Sequence, residues 1–174
     1  MQLIKHVKAF IALPFMVVLV IPLIITCAAD FILPAEYLLL PGRAVTPYLG
    51  VLFFALGAAL SASTVILFSR IGRGTLAPWD SPRHLVVAGP YKLTRNPMIS
   101  GVFGMLLGEA FFFSSLPLLG WLVLFAAINA FWIPLWEEPN LIRRFGEDYL
   151  LYKKHVPRWL PRLSPWRPPW EGGH

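Results

Sequence analysis

The chain has 174 residues, of which 57% are hydrophobic and only 14% charged, and its mean hydropathy is +0.64. Soluble domains carry about 25% charged residues, so the composition excludes an ordinary soluble protein and points to a single domain, residues 1–174, built into a membrane. Fifteen Lys and Arg against nine acidic residues leave a net charge of +6. The bases crowd beside apolar runs, which suits anionic lipid headgroups and argues against nucleic acid as a partner. Cys27 is the one cysteine and the four histidines are scattered, which rules out a disulfide framework and predicts no metal site.

A membrane span needs about 20 mostly apolar residues. Residues 9–29 form the first predicted span, with Pro14 and Pro22 as kinks. Lys5 and Lys8 ahead of it and Cys27-Ala28-Ala29 at its end also fit a secretory signal. The apolar run is longer than a signal core, however, and with it in place an even number of spans puts both basic termini on one side, so the span reads as retained. Residues 48–69 form the second. From Met98 to Trp136 the chain stays apolar for too long to be one span. Ser114, Ser115 and Pro117 divide it into spans near 98–113 and 117–136, joined by a tight turn that favours antiparallel neighbours. The expected fold is an all-α membrane protein with four transmembrane helices and a cytoplasmic C-terminal amphipathic helix.

Positive charge orients the set. Lys5 and Lys8 precede the first span, and Arg70, Arg73, Arg83, Lys92 and Arg95 occupy the 70–97 loop against Asp80 alone. Seven more bases follow the last span, whereas the 114–116 turn has none. The reading is an integral protein of a bacterial inner membrane with both termini cytoplasmic.

Polar chemistry is confined to two cytoplasmic blocks, 70–98 and 137–163. The first is punctuated by Gly72, Gly74, Pro78, Pro82 and Gly89-Pro90. Contact with lipid phosphates explains Arg70, Arg73 and Lys92, but not why Tyr91, Arg95, Asn96 and Pro97 crowd the start of a span. The second block opens on Glu137 and Glu138, where a span end disfavours acids. Placing Pro139 in the first turn of a new helix explains one carboxylate better than two. Leu141, Phe145, Tyr149 and Tyr152 then form an apolar stripe, with Arg143–Glu147 and Arg144–Asp148 as expected i,i+4 pairs on a solvated face. Arg158, Arg162, Trp159, Trp166 and Trp170 read as interfacial anchors. Within the third span, Gly101, Gly104 and Gly108 predict close helix packing. Glu109 there is costly if charged, and is expected to hydrogen-bond, with Asn129 as a partner.

Read together, the two blocks resemble the membrane methyltransferases that include isoprenylcysteine carboxyl methyltransferase and the phospholipid methyltransferases. The matching stretches are GPYKLTRNPMISG and EEPNLIRRFGEDYLLYKKHVPRWLP, within residues 83–161, in the family's order and separated by a hairpin of the family's size. The resemblance implies transfer of a methyl group from S-adenosylmethionine to a lipid or small lipophilic acceptor that reaches the site from the bilayer. It implies a cofactor shell of Arg83, His84, Leu85, Val86, Tyr91, Asn96, Pro97, Met98, Ile99 and Glu137. Glu137 can hold the cofactor's ammonium, an Arg such as Arg95 or backbone N–H groups its carboxylate, and Tyr91 its adenine or sulfonium. Glu138 and Arg158 are further catalytic candidates, and Glu138 or Glu109 is the candidate base if the acceptor must lose a proton. Asn96 replaces the family's usual His, Ile99 a Tyr, and Ile133 an acceptor-binding Arg of the carboxyl-methylating enzymes. Those departures leave open whether the acceptor is a carboxylate, an amine or a thiol. A non-enzymatic protein of the same fold that binds anionic lipid is the alternative, and the oligomeric state is not legible.

Overall fold

The computed structural model describes residues 15–32, 44–71 and 84–172. Lys5, Lys8, Arg43, Arg73, Asp80, Arg83 and the beginning of the first predicted span lie outside the described residues. Every regular element among the described residues is helical. A π turn, Met16–Val20, leads into α1, Ile21–Ile32; then come α2, Thr46–Ile71, and a 3₁₀ turn, Gly89–Lys92. The helices α3, Pro97–Phe112, and α4, Leu116–Trp132, follow, and a second π turn, Ile133–Glu137, connects α4 to α5, Glu138–His155.

Among the described residues, two stretches are long and apolar enough to cross a membrane: Thr46–Leu67, and the continuous helical run Leu116–His155, whose apolar part ends at Trp136. Met16–Ala29 and Pro97–Phe112 are shorter apolar helices. At 1.5 Å per residue α3 is about 24 Å long, short of the roughly 30 Å hydrocarbon core. The four expected segments are thus helical where described, and two of them meet the length of a full span.

The chain divides into two compact units, one formed by residues up to 59 with 101–129, the other by residues 60–100 with those from 130 onward. In the first, α2 and α3 cross through glycines, as the sequence predicts. A Cβ on Gly57 would stand 2.6 Å from Met105 N, and one on Gly108 would stand 2.6 Å from Phe54 N. Only a missing side chain lets backbones approach this closely. Val17, Val18, Val102, Met105 and Leu106 form the core here, with Trp121 and Phe125 packed on it.

The turn between α3 and α4 closes as a Schellman motif. Ser115 N donates to Ala110 O at 2.8 Å and Ser114 N to Phe111 O at 3.1 Å. Ser114 takes the left-handed conformation, φ 48°, a position that glycine usually fills. Its hydroxyl is tied to Thr46 Oγ1 at 2.7 Å, a contact that glycine could not make.

The two π turns share a cause. Each ends two residues before a proline, Pro22 or Pro139, whose ring clashes with the carbonyl four residues back and which has no N–H to give. Ile21 N therefore reaches back to Met16 O, and Glu138 N to Ile133 O, widening the turn by one residue. At the first bulge the freed Val17 carbonyl is taken by Trp121 Nε1 at 3.2 Å.

Candidate functional site

The second unit gathers both polar blocks. Its framework is a set of backbone bonds between the segment 92–95 and the chain after α5. Arg95 N donates to Pro157 O at 2.9 Å, Arg162 N to Leu93 O at 3.0 Å, and Trp166 N to Lys92 O at 3.0 Å. Thr94 Oγ1 adds a bond to Arg158 O at 2.8 Å. Underneath, Val87, Tyr149, Tyr152, Val156 and Trp166 make a core on which Leu85, Leu141 and Phe145 pack. The stripe expected on α5 is therefore its buried face.

Two sequence expectations fail in this region. Trp166 is not an interfacial anchor: it is buried, its ring 5.3 Å from that of His155 and stacked on it, and 5.9 Å from that of Tyr152. The pairs Arg143–Glu147 and Arg144–Asp148 do not form among the described residues. Gly146, at φ 53° and ψ −128°, breaks the helical register between the partners. Arg143 bonds Asn140 Oδ1 instead, and Arg144 lies 6.0 Å over the Phe145 ring.

At the start of α5, Glu138 is buried among cations. Its Oε1 accepts from Arg95 Nη1 at 2.7 Å and from Arg158 Nε at 2.8 Å. Lys153 Nζ stands 2.7 Å from Oε2, an ion-pair contact too oblique to satisfy that oxygen as a hydrogen bond. Burial works to raise the Glu138 pKa, but the Arg158 and Lys153 contacts and the charges of Arg95 and Arg158 outweigh it and hold the group below the usual carboxylate range. A carboxylate so placed is a poor proton acceptor. Arg95 also reaches Tyr149 Oη at 3.4 Å, while its Nε is buried with no partner among the described residues. Tyr149 is pushed up to about 12, first by burial and then by the Glu138 charge.

Glu137, one residue earlier, has the opposite environment. It is partly buried, beyond the apolar end of α4, and makes no hydrogen bond or ion pair among the described residues. Burial first, and the neighbouring Glu138 charge second, raise its pKa. Tyr91 feels both burial and the Glu137 charge, which push its hydroxyl upward. The Tyr91 carbonyl is fixed by Tyr152 Oη at 2.7 Å. Its ring packs with Val86 and Leu67.

Asn96 precedes Pro97 at the start of α3, the order expected of a helix N-terminus. The Asn96 carbonyl accepts from Ser100 N at 3.0 Å and from Ser100 Oγ at 3.1 Å, while its side chain makes no hydrogen bond among the described residues. Met98 O accepts from Ser61 Oγ of α2 at 3.3 Å. Of the other expected residues, Pro97 is buried, Ile99 is half-buried and His84 is exposed.

Glu109 belongs to the first unit. Its expected bond to Asn129 does not form, because Asn129 Nδ2 donates to Phe125 O at 2.8 Å, one turn back on its own helix. Sequence reasoning missed the triple pairing of Glu138 altogether. The signal available was α5 itself, which carries Lys153 one position beyond the buried Tyr152 and leads into Arg158.

The described residues hold no group of three or more His, Cys, Asp or Glu suited to a metal ion. No curated protein matches the chain. The sequence model of the phospholipid methyltransferase family matches residues 45–148, a stretch that takes in Tyr91, Asn96, both glutamates and the Arg95–Glu138 pair. That match covers well over half of the 174 residues, and the chain belongs to the phospholipid methyltransferase family.

Proposed function

We propose that the chain transfers a methyl group from S-adenosylmethionine to a lipophilic, membrane-partitioning acceptor, with the second unit forming the cofactor site at the cytoplasmic face. The observation that carries this reading is the contrast between the two glutamates. Glu138 has three cations to itself, and Glu137, partly buried beside Tyr91, has none among the described residues. An unpaired, desolvated carboxylate is unfavourable unless a cation comes to it. The cofactor brings an ammonium, and its sulfonium is a second positive centre.

The other residues fit the same ligand. The Asn96 side chain, without a hydrogen bond among the described residues, and the N-terminal N–H groups of α3 can take the cofactor carboxylate, aided by the helix dipole. Tyr91, with its backbone held by Tyr152, offers an aromatic face to the adenine or the sulfonium. Glu138, Arg158 and Arg95 act as positioning residues that lock the 92–95 segment and the start of α5 in place. Bound there, S-adenosylmethionine supplies an activated methyl group open to in-line displacement, and the chain's task is alignment and exclusion of water.

Family membership supports a lipid as the acceptor class. Titration of the purified protein with S-adenosylmethionine tests the donor half: saturable binding is expected, with Glu137→Gln weakening it at least tenfold. Absence of saturable binding by the folded wild type sinks the reading. Transfer of a labelled methyl group into prenylcysteine, phosphatidylethanolamine or a small thiol then names the acceptor.

A further inference from the structure

The first unit contains a groove that cofactor chemistry does not use. It has a volume of about 370 Å³ and lies between α2 and α3, lined by Leu19, Val51, Phe54, Phe112, Phe113 and Glu109. The volume falls within the roughly 300–1,000 Å³ of small-molecule sites. Val51, Leu19 and Phe113 are each at least half exposed at its rim, so in a membrane the groove opens toward acyl chains. Its wall is apolar except at one point. Glu109 is 8% exposed, and its Oε2 is buried without a hydrogen-bond partner among the described residues.

Such an arrangement is expensive without a ligand. A lone acidic group in a hydrocarbon setting loses its hydration with nothing in exchange. Asn129, the polar neighbour that the sequence offers, is bonded to its own helix. Gly50 and Gly108 bring the two backbones so close that a Cβ on Gly50 would stand 2.7 Å from Gly108 O, which leaves little room for the helices to slide and bring Glu109 a partner.

We propose that this groove binds a single-chain amphiphile whose head carries a hydrogen-bond donor. The chain lies along Phe54, Phe112 and Phe113, and the head, an amine or a hydroxyl, donates to the groove side of the Glu109 carboxyl group. Apolar area supplies most of the binding free energy, and the carboxyl group supplies selectivity for donor-bearing heads over esters of the same length.

The test uses full-length protein in dodecylmaltoside micelles without S-adenosylmethionine, so its result is independent of the methyl-transfer reading. Radiolabelled oleylamine, oleyl alcohol and methyl oleate are the probes. Oleylamine and oleyl alcohol are expected to bind saturably and at least tenfold tighter than methyl oleate. Glu109→Leu is expected to remove that preference. Val51→Trp, which fills the groove from an exposed rim position and spares the core, is expected to weaken all binding at least tenfold. With Glu109→Gln, loss of oleylamine alone supports recognition of charge, and retention of both supports recognition of the hydrogen bond. Equal binding of methyl oleate by the wild type, or wild-type behaviour of Glu109→Leu or Val51→Trp, overturns the proposal.

Discussion

Replacing Glu138 with Gln should unfold the second unit's framework far more easily than removing any one of its partners. The Glu138 side chain is 2% exposed and Arg95 8%, so this pair is taken out of water on both sides. Arg158 is 26% exposed and Lys153 39%, so solvent already screens part of their attraction. Neutralising Glu138 leaves Arg95 as a buried charge whose Nε already lacks a partner among the described residues, and breaking a buried pair in this way costs about 3–5 kcal/mol. Arg158→Met removes one hydrogen bond to a charged group and should cost about 1–3 kcal/mol. Lys153→Met should cost about 0–1 kcal/mol, as exposed pairs do. The double variant Arg95→Met/Glu138→Leu should recover much of the loss, because it leaves neither charge stranded. Unfolding by dodecyl sulfate in mixed micelles, followed by tryptophan fluorescence, gives the ranking; Trp166 is buried against Tyr152 and His155 and reports from this unit. If Lys153→Met costs as much as Glu138→Gln, or if Glu138→Gln is neutral, burial is not what gives the cluster its strength.

The two glutamates should also separate by pH. Glu137 must be ionised to hold an ammonium, and its pKa is raised, so cofactor affinity should fall on acidification from a pH above the ordinary carboxylate range. Glu138 has a lowered folded-state pKa; its stabilisation is present above the unfolded value and is lost only as pH falls through the lower folded one. Affinity measured by titration should thus weaken in mild acid while the unfolding midpoint holds, and simultaneous loss of both would contradict the assignment. Tyr152→Phe leaves the Tyr91 carbonyl without its 2.7 Å bond and should cost about 1–3 kcal/mol, read in the same unfolding assay. Gly57→Ala should destabilise by about 1–3 kcal/mol through overpacking, since its Cβ meets backbone at 2.6 Å. Gly120→Ala, with nothing within 4 Å of the new Cβ, is the neutral comparison, and equal effects would refute the close crossing.

Periodicity and composition made the helices legible because each depends on neighbours along the chain. The apolar runs gave α2, α3 and α4 to within three residues at most boundaries, and Leu141, Phe145, Tyr149 and Tyr152 marked the buried face of α5. Gly104 and Gly108 foretold a close crossing, although their partners Gly50 and Gly57 lie on another helix and carried no signal alone. What stayed illegible depended on contacts between distant segments. Arg95 and Glu138 are 43 residues apart, and spacing cannot say that the Arg serves a carboxylate of its own chain. The expected pairs on α5 failed for a local reason that was available in principle: Gly146 lies between both sets of partners. Trp166 looked interfacial because Pro-rich tails with Trp suit a membrane surface, and the bonds from Trp166 N to Lys92 O and from Arg162 N to Leu93 O show instead that the tail folds back.

Adjacent glutamates in a regular helix point about 100° apart, so one of them facing inward says nothing about the other. Here the difference is sharpened by Pro139. Because that residue cannot donate, Glu138 N reaches Ile133 O, and the turn gains a residue just where the apolar part of α4 ends. The wider turn sets back the helix phase after it relative to a regular continuation. Glu138 there begins α5 with Arg95, Lys153 and Arg158 around its carboxylate, while Glu137 closes the π turn near Tyr91. The acid that the cations neutralise makes the framework rigid; its remaining negative influence, together with burial, raises the pKa of the acid beside it. A rigid frame and a carboxylate left short of positive charge are the two conditions for binding a cation selectively. One proline following a glutamate pair supplies the geometry for both.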